Sequence, residues 1–147
     1  MSLTRRNLLD LNVLIALSQS GHTHRQVAER WFQSAAGSDW GICPLTESGF
    51  IRLATNPAMQ ANALTVNQAV AVLQSIQQLA GYRFWPITHS WVDLTAPFST
   101  RITGHQQVTD AYLLGLAIKQ DGVLVTFDRG IRYMAGPQFA KNVLLLQ

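Results

Sequence analysis

Acidic side chains are scarce in this sequence, eight Asp and Glu among 147 residues, and four of them stand inside apolar stretches. Asp10 follows Leu8 and Leu9, and Asp128 ends the apolar run 123–127. Asp110 has Leu113, Leu114 and Ala117 on its own helical face, and Glu47 has Phe50, Ile51 and Ala54 at the same spacing. An unpaired buried carboxylate costs several kcal/mol or gives up its charge, and few Lys or Arg stand beside these acids to pair with them. A divalent cation resolves that conflict. Oxygen donors from three or four carboxylates suit Mg²⁺ or Mn²⁺, which keep part of their water shell for a phosphate oxygen and an attacking hydroxide. Hydrolysis of a phosphodiester is the chemistry such a cluster supports.

Each acid also has an ordinary role open to it. Asp10 could cap a helix, Asp110 could meet a helix dipole, Asp128 could start a turn, and Glu47 could pair with Arg52 or Arg30. Their joint placement on one rim is what favours a site. The other acids, Glu29, Asp39, Asp93 and Asp121, fall at polar helix positions or turns and are expected to be solvated.

The elements that must position these side chains alternate between strand and helix. The run from 7 to 9 suits a buried strand, with a turn near Asp10 and Asn12 able to cap a helix from Val13. Val27, Trp31, Phe32 and Ala35 recur at helical spacing over 23–36, and Gly37 stops them. A short strand at 40–43 leads to Pro44, well placed in the first turn of a helix through Glu47, Ile51 and Ala54 that ends at Asn56-Pro57. Thr65 and Gln68 form a capping box before the apolar stripe Val66, Ala69, Val70, Leu73, Ile76 and Ala80, which Gly81 closes. Residues 82–87 read as a strand, with Pro86 suited to an edge or a strand end. An irregular stretch to about 107 precedes a helix at 108–120, a strand at 123–127 and a last strand at 143–146.

This order predicts a three-layer α/β/α sandwich around a central, mostly parallel sheet, formed by residues 1–147 as a single domain. Asp10 and Asp128 then fall at the C-terminal ends of strands, the edge where open parallel sheets bind ligands. With 48% hydrophobic and 13% charged residues, the composition excludes a disordered chain. No apolar run approaches the roughly 18 residues that span a bilayer, so a soluble, cytoplasmic protein is expected. Cys43 stands alone and reads as a small buried residue. His22, His24, His89 and His105 lack metal-ligand spacing and read as loop residues, with His105 the one nearest the Asp110 helix in sequence. The formal charge of +3 permits a polyanionic partner without demanding one.

Four segments in order resemble the PIN-domain nucleases, in particular the VapC-type toxins of bacterial toxin-antitoxin pairs. They are 8–17 (LLDLNVLIAL), 46–52 (TESGFIR) with 55–57 (TNP), 108–114 (VTDAYLL) and 125–130 (VTFDRG). The resemblance implies that Asp10, Glu47, Asp110 and Asp128 hold one or two divalent ions, while Asn12 and Thr126 orient the carboxylates. It implies endonucleolytic hydrolysis of RNA, a small cognate antitoxin and a homodimer. Some relatives carry a further acid just after the last aspartate. Here that stretch reads Arg129, Gly130, Ile131 and Arg132, so the second metal position lacks that ligand, and Arg129 becomes a candidate contact for the phosphate backbone. Two other readings compete: a PIN-like module that binds without cutting, and a phospho-acceptor signalling domain. The latter expects paired acids after the first strand and a lysine after a late one, where this chain has a lone Asp10 and Arg129.

Overall fold

The computed structural model describes residues 5–34 and 38–147. Four strands form one sheet: β1 (Asn7–Leu9), β2 (Trp40–Gly41), β3 (Val123–Thr126) and β4 (Val143–Leu145). All pair in parallel, in the order β2-β1-β3-β4. Leu8 stands opposite Leu124 and Leu9 opposite Val125. Because strand side chains alternate, Leu8 and Leu124 enter one core and Leu9 and Val125 the other. That two-sided burial is why these strands read as continuous apolar runs rather than alternating ones.

One layer holds α1 (Leu11–Ser18), α2 (Arg25–Ser34), α3 (Pro44–Ala54) and α4 (Val66–Gln77), whose apolar faces pack with Trp40, Ile42 and Val125. The opposite layer holds α5 (Trp91–Thr95), α6 (Val108–Lys119) and α7 (Arg129–Ala135), packed with Trp85 and Leu124. This is the expected three-layer arrangement, and among the described residues no helix is long and apolar enough to cross a membrane. Cys43 is buried and unpaired, as expected.

Local chemistry explains most element boundaries. The Thr65 hydroxyl accepts the Gln68 amide at 3.1 Å while the Gln68 side chain accepts the Thr65 amide at 2.9 Å, completing the capping box at the start of α4. Pro44 opens α3, where its missing N–H costs nothing. The chain turns back after α4 through Gly81, whose φ of +87° an L side chain would resist.

Four readings of the sequence need correction. The first helix is capped by Asp10 rather than Asn12 and begins at Leu11, because the Asp10 carboxylate accepts the Leu11 amide at 2.8 Å. The segment 82–87 makes only an isolated parallel bridge, Trp40 with Tyr82. Arg83 and Trp85 donate to Trp40 and Ile42 along the outer edge of β2, and Pro86 then offers no N–H to continue. Within 88–107, α5 and two short 3₁₀ turns replace the expected irregular chain. Finally, α7 follows Asp128 at once, anchored by Ile131, Met134 and Ala135. The helix expected at 23–36 is α2, while its Ala35 and Ala36 and the stop at Gly37 lie outside the described residues.

Asp39 is half-buried instead of solvated, between Arg83 at 3.0 Å and Arg6 at 3.6 Å, and the Arg6 guanidinium lies 4.3 Å from the Trp85 ring centre. This ionic cluster ties the N-terminal ends of β1 and β2 together, at the sheet edge opposite to Asp10 and Asp128.

Candidate active site

From β1 the chain runs to β2 on one side of the sheet and later to β3 on the other, so the strand order reverses about β1. At such a switch point the loops leaving the two central strands diverge and open a crevice at their C-terminal ends. Asp10 is the residue after β1, and its amide donates to Val125 O on β3 at 2.9 Å. Asp128 lies two residues after β3. Asp110 enters from the first turn of α6, and with Asp10 and Asp128 it lines one pocket together with Leu11, Asn12, Ile15, His22 and Leu53. An adjoining pocket holds Asp10 and Asp110 with Thr46, Ser48, Arg52 and Thr109.

Thr126 organises this crevice. Its buried hydroxyl donates to Asp10 Oδ2 at 2.7 Å and accepts the Asp128 amide at 3.0 Å. Asn12 Nδ2 reaches the Thr126 hydroxyl oxygen at 3.5 Å, and its Oδ1 accepts the Phe127 amide at 3.4 Å. Asp128 Oδ1 accepts the Gly130 amide at 2.8 Å, capping α7.

The three carboxyl groups stand close enough to repel one another when charged. Burial pushes the Asp110 carboxyl up from 3.8 to about 7, with Asp10 and Asp128 adding repulsion. Asp10 is 6% exposed, and its burial raises its pKa against the opposing pull of Thr126 and Leu11, with Asp128 raising it further. The ion pairs among the described residues join Arg5 to Asp121, Arg6 and Arg83 to Asp39, and Arg25 to Glu29, and none reaches these aspartates.

Of the four acids singled out in the sequence, the structure brings three together. Glu47 borders a separate groove between α3 and α4, lined by Pro44, Ser48, Ile51, Arg52, Val70 and Leu73. Its Oε2 accepts Gln77 Nε2 at 2.7 Å, and Gln77 also donates to the Tyr82 hydroxyl at 3.2 Å. The apolar neighbours of Glu47 on its helix therefore do turn inward, but against α4 rather than toward the aspartates. Asn12 and Thr126 stand at the crevice, Arg129 is exposed at the start of α7, and Arg52 borders both the aspartates and the Glu47 groove. His105 lies in a loop pocket with Thr103, Gly104, Gln106 and Gln107, outside the crevice. His22 lines it instead. Nothing in its sequence neighbourhood marks it, because the loop carrying it meets the end of β3 only in the folded chain.

Hard oxygen donors with unscreened mutual repulsion fit a divalent cation. Among the described residues no three acids, histidines or cysteines are arranged to hold an ion by themselves, so the crevice is an open acidic rim rather than a closed cage.

Residues 8–137 match the sequence model of the PIN domain. The chain belongs to the PIN domain family. Its relatives include Ribonuclease VapC38 of Mycobacterium tuberculosis (strain ATCC 25618 / H37Rv), 41% identical over 128 residues that cover 87% of this chain and 89% of that one. Ribonuclease VapC39 of the same strain is 37% identical over 124 residues, covering 84% and 89%. A similar solved structure is VapBC2 from Rickettsia felis bound to a DNA fragment from their promoter. It superposes with a TM-score of 0.68 at 11% identity, covering 96% of this chain and 98% of that one, which establishes likeness of fold. In this PIN domain, the strand ends and the α6 N-terminus that bear the three aspartates all fall inside the matched span.

Proposed function

We propose that this PIN domain is an endoribonuclease dependent on Mg²⁺ or Mn²⁺ that acts as the toxin of a toxin-antitoxin pair. The observation that carries the reading is the crevice in which Asp10, Asp110 and Asp128 meet with no ion pair to any of them among the described residues. The kinship to ribonucleases, one of them 41% identical, supports RNA as the substrate, and a solved toxin-antitoxin complex from Klebsiella pneumoniae of like fold supports an antitoxin partner.

Asp10, Asp110 and Asp128 would hold the ion jointly with water, as an open rim requires. When bound, it supplies charge to the scissile phosphate and acidifies the attacking water. Thr126 and Asn12 keep Asp10 and the end of β3 in register, so that the carboxylates need little reorganisation to engage. Glu47 is the reserve acid, one groove away, and would contribute after exchanging Gln77 for the crevice. Arg52 and Arg129 flank the rim as candidate phosphate contacts. A homodimer and a cytoplasmic location complete the reading.

The test is incubation of the purified chain, free of antitoxin, with structured RNAs in the presence and absence of Mg²⁺ or Mn²⁺, beside Asp10→Asn and Asp110→Asn. Cleavage that requires metal and is lost in both variants is expected. Metal-independent cleavage, or full activity in both variants, overturns the mechanism.

A further inference from the structure

Beside the aspartates runs a short ledge of aromatic rings that the hydrolytic chemistry does not use. Phe127 lies between Thr126 and Asp128 in the chain, and its amide is held by Asn12 Oδ1 at 3.4 Å, so the ring is tied to the site's own framework. His24 stacks on it, with ring centres 4.8 Å apart and planes 27° apart. His22 continues the row, 5.8 Å from His24 and tilted by 47°, and at that end it lines the pocket shared by Asp10, Asp110 and Asp128.

The polar atoms of the ledge are oriented as well. The His24 amide donates to His22 Nδ1 at 3.0 Å. As an acceptor, that nitrogen carries no proton, so the His22 ring hydrogen resides on Nε2 and remains available as a donor. Phe127 is half-buried and serves as the anchor, whereas His24 is exposed. Arg25, the adjacent cation, is engaged by Glu29 at 2.6 Å and by Leu17 O at 3.0 Å. What the ledge offers a ligand is therefore a stacking surface and a ring N–H donor.

An acidic crevice repels a polyanion, and stacking gives affinity without adding fixed cations to it. Aromatic side chains beside a backbone channel are how proteins commonly hold single-stranded RNA, since every base presents a π face. We propose that His22, His24 and Phe127 form a nucleotide subsite of the aspartate crevice. A base flanking the cleaved phosphate packs on the exposed surface of His24, and His22 Nε2 donates to a backbone oxygen of the same nucleotide. This subsite rests on the nuclease reading above and sets which unpaired stretch of RNA is presented to the aspartates.

Binding and cleavage test it separately. The full chain carrying Asp110→Asn binds a fluorescently labelled hexauridylate in Mg²⁺, read by anisotropy. Adding His24→Ala weakens binding about tenfold, and His24→Phe, which keeps the π face, restores it. In the chain with Asp110 intact, His24→Ala raises KM for the same oligonucleotide with kcat nearly unchanged, and an abasic nucleotide at one position removes the difference. His22→Ala lowers kcat, and His22→Gln recovers part of it. Equal binding with and without His24, no measurable binding by either, or a loss that His24→Phe shares overturns the subsite. Absence of cleavage alongside His24-dependent binding overturns the nuclease reading and leaves the subsite standing.

Discussion

The Thr126 hydroxyl donates to Asp10 Oδ2 at 2.7 Å, joining β3 to the acid that ends β1. The Thr126 hydroxyl oxygen in turn accepts the Asp128 amide, so one buried side chain governs two of the three acidic positions. Thr126→Val keeps the shape and removes the hydrogen bonds. Cleavage should fall by roughly 10- to 100-fold with a higher Mg²⁺ requirement, while Thr126→Ser retains most activity. A metal titration of initial rates checks both variants.

Asp110 links pH to stability in the metal-free protein. Its folded pKa of about 7 lies above the ordinary 3.8, so folding favours the protonated form. Its contribution is fully present below about pH 4 and is lost as pH rises through about 7. Melting temperature without metal should therefore decline across that window. Asp110→Asn should flatten the decline and melt higher than the parent at pH 8, while losing cleavage. Thermal melts in EDTA from pH 4 to 8 read the effect.

Metal should reverse the same penalty. An ion that binds the folded crevice and not the unfolded chain raises stability by mass action. Mg²⁺ or Mn²⁺ at pH 8 should raise the melting temperature of the parent and leave Asp10→Asn nearly unmoved. EDTA should abolish both the cleavage and the metal-induced rise in melting temperature. An equal metal-induced shift in both proteins would place the ion elsewhere.

Glu47 is held by Gln77 at 2.7 Å, one groove from the aspartates. Gln77→Ala frees that carboxylate and should lower the Mg²⁺ concentration needed for half-maximal cleavage. Glu47→Gln should reduce the rate by less than Asp110→Asn does. Equal losses in the two variants would put Glu47 on the same footing as the aspartates.

Gly115 on α6 packs directly against the backbone of α5. A Cβ there would come within 2.5 Å of Leu94 O, a backbone atom that cannot swing aside. Gly115→Ala should destabilise the fold by about 1–3 kcal/mol through overpacking. Because α6 carries Asp110, activity should fall with it. Chemical denaturation gives the stability change directly.

Much of this site was legible in the residues themselves because its signals are local. Thr65 and Gln68 announce a helix start within four residues, Pro44 another, and acids that end apolar strands fall on the ligand-binding edge of a parallel sheet whatever the connecting helices do. Asp10 and Asp128 are legible that way, and Asp110 through the apolar neighbours on its own helical face. The tertiary structure alone decided the rest. Whether Glu47 faces α4 or the crevice depends on which helix packs against α3, since the inward face of a helix does not say what lies inside. Pro86, which has no N–H to donate, and a β2 of only two residues leave 82–87 with a single bridge. The seven residues of α7 are too few for a periodic signal and are helical because Ile131, Met134 and Ala135 are buried beneath the sheet. His22 reaches the aspartates only because its loop folds onto Phe127, more than a hundred positions away, and no pattern of nearby residues encodes a contact made at that separation.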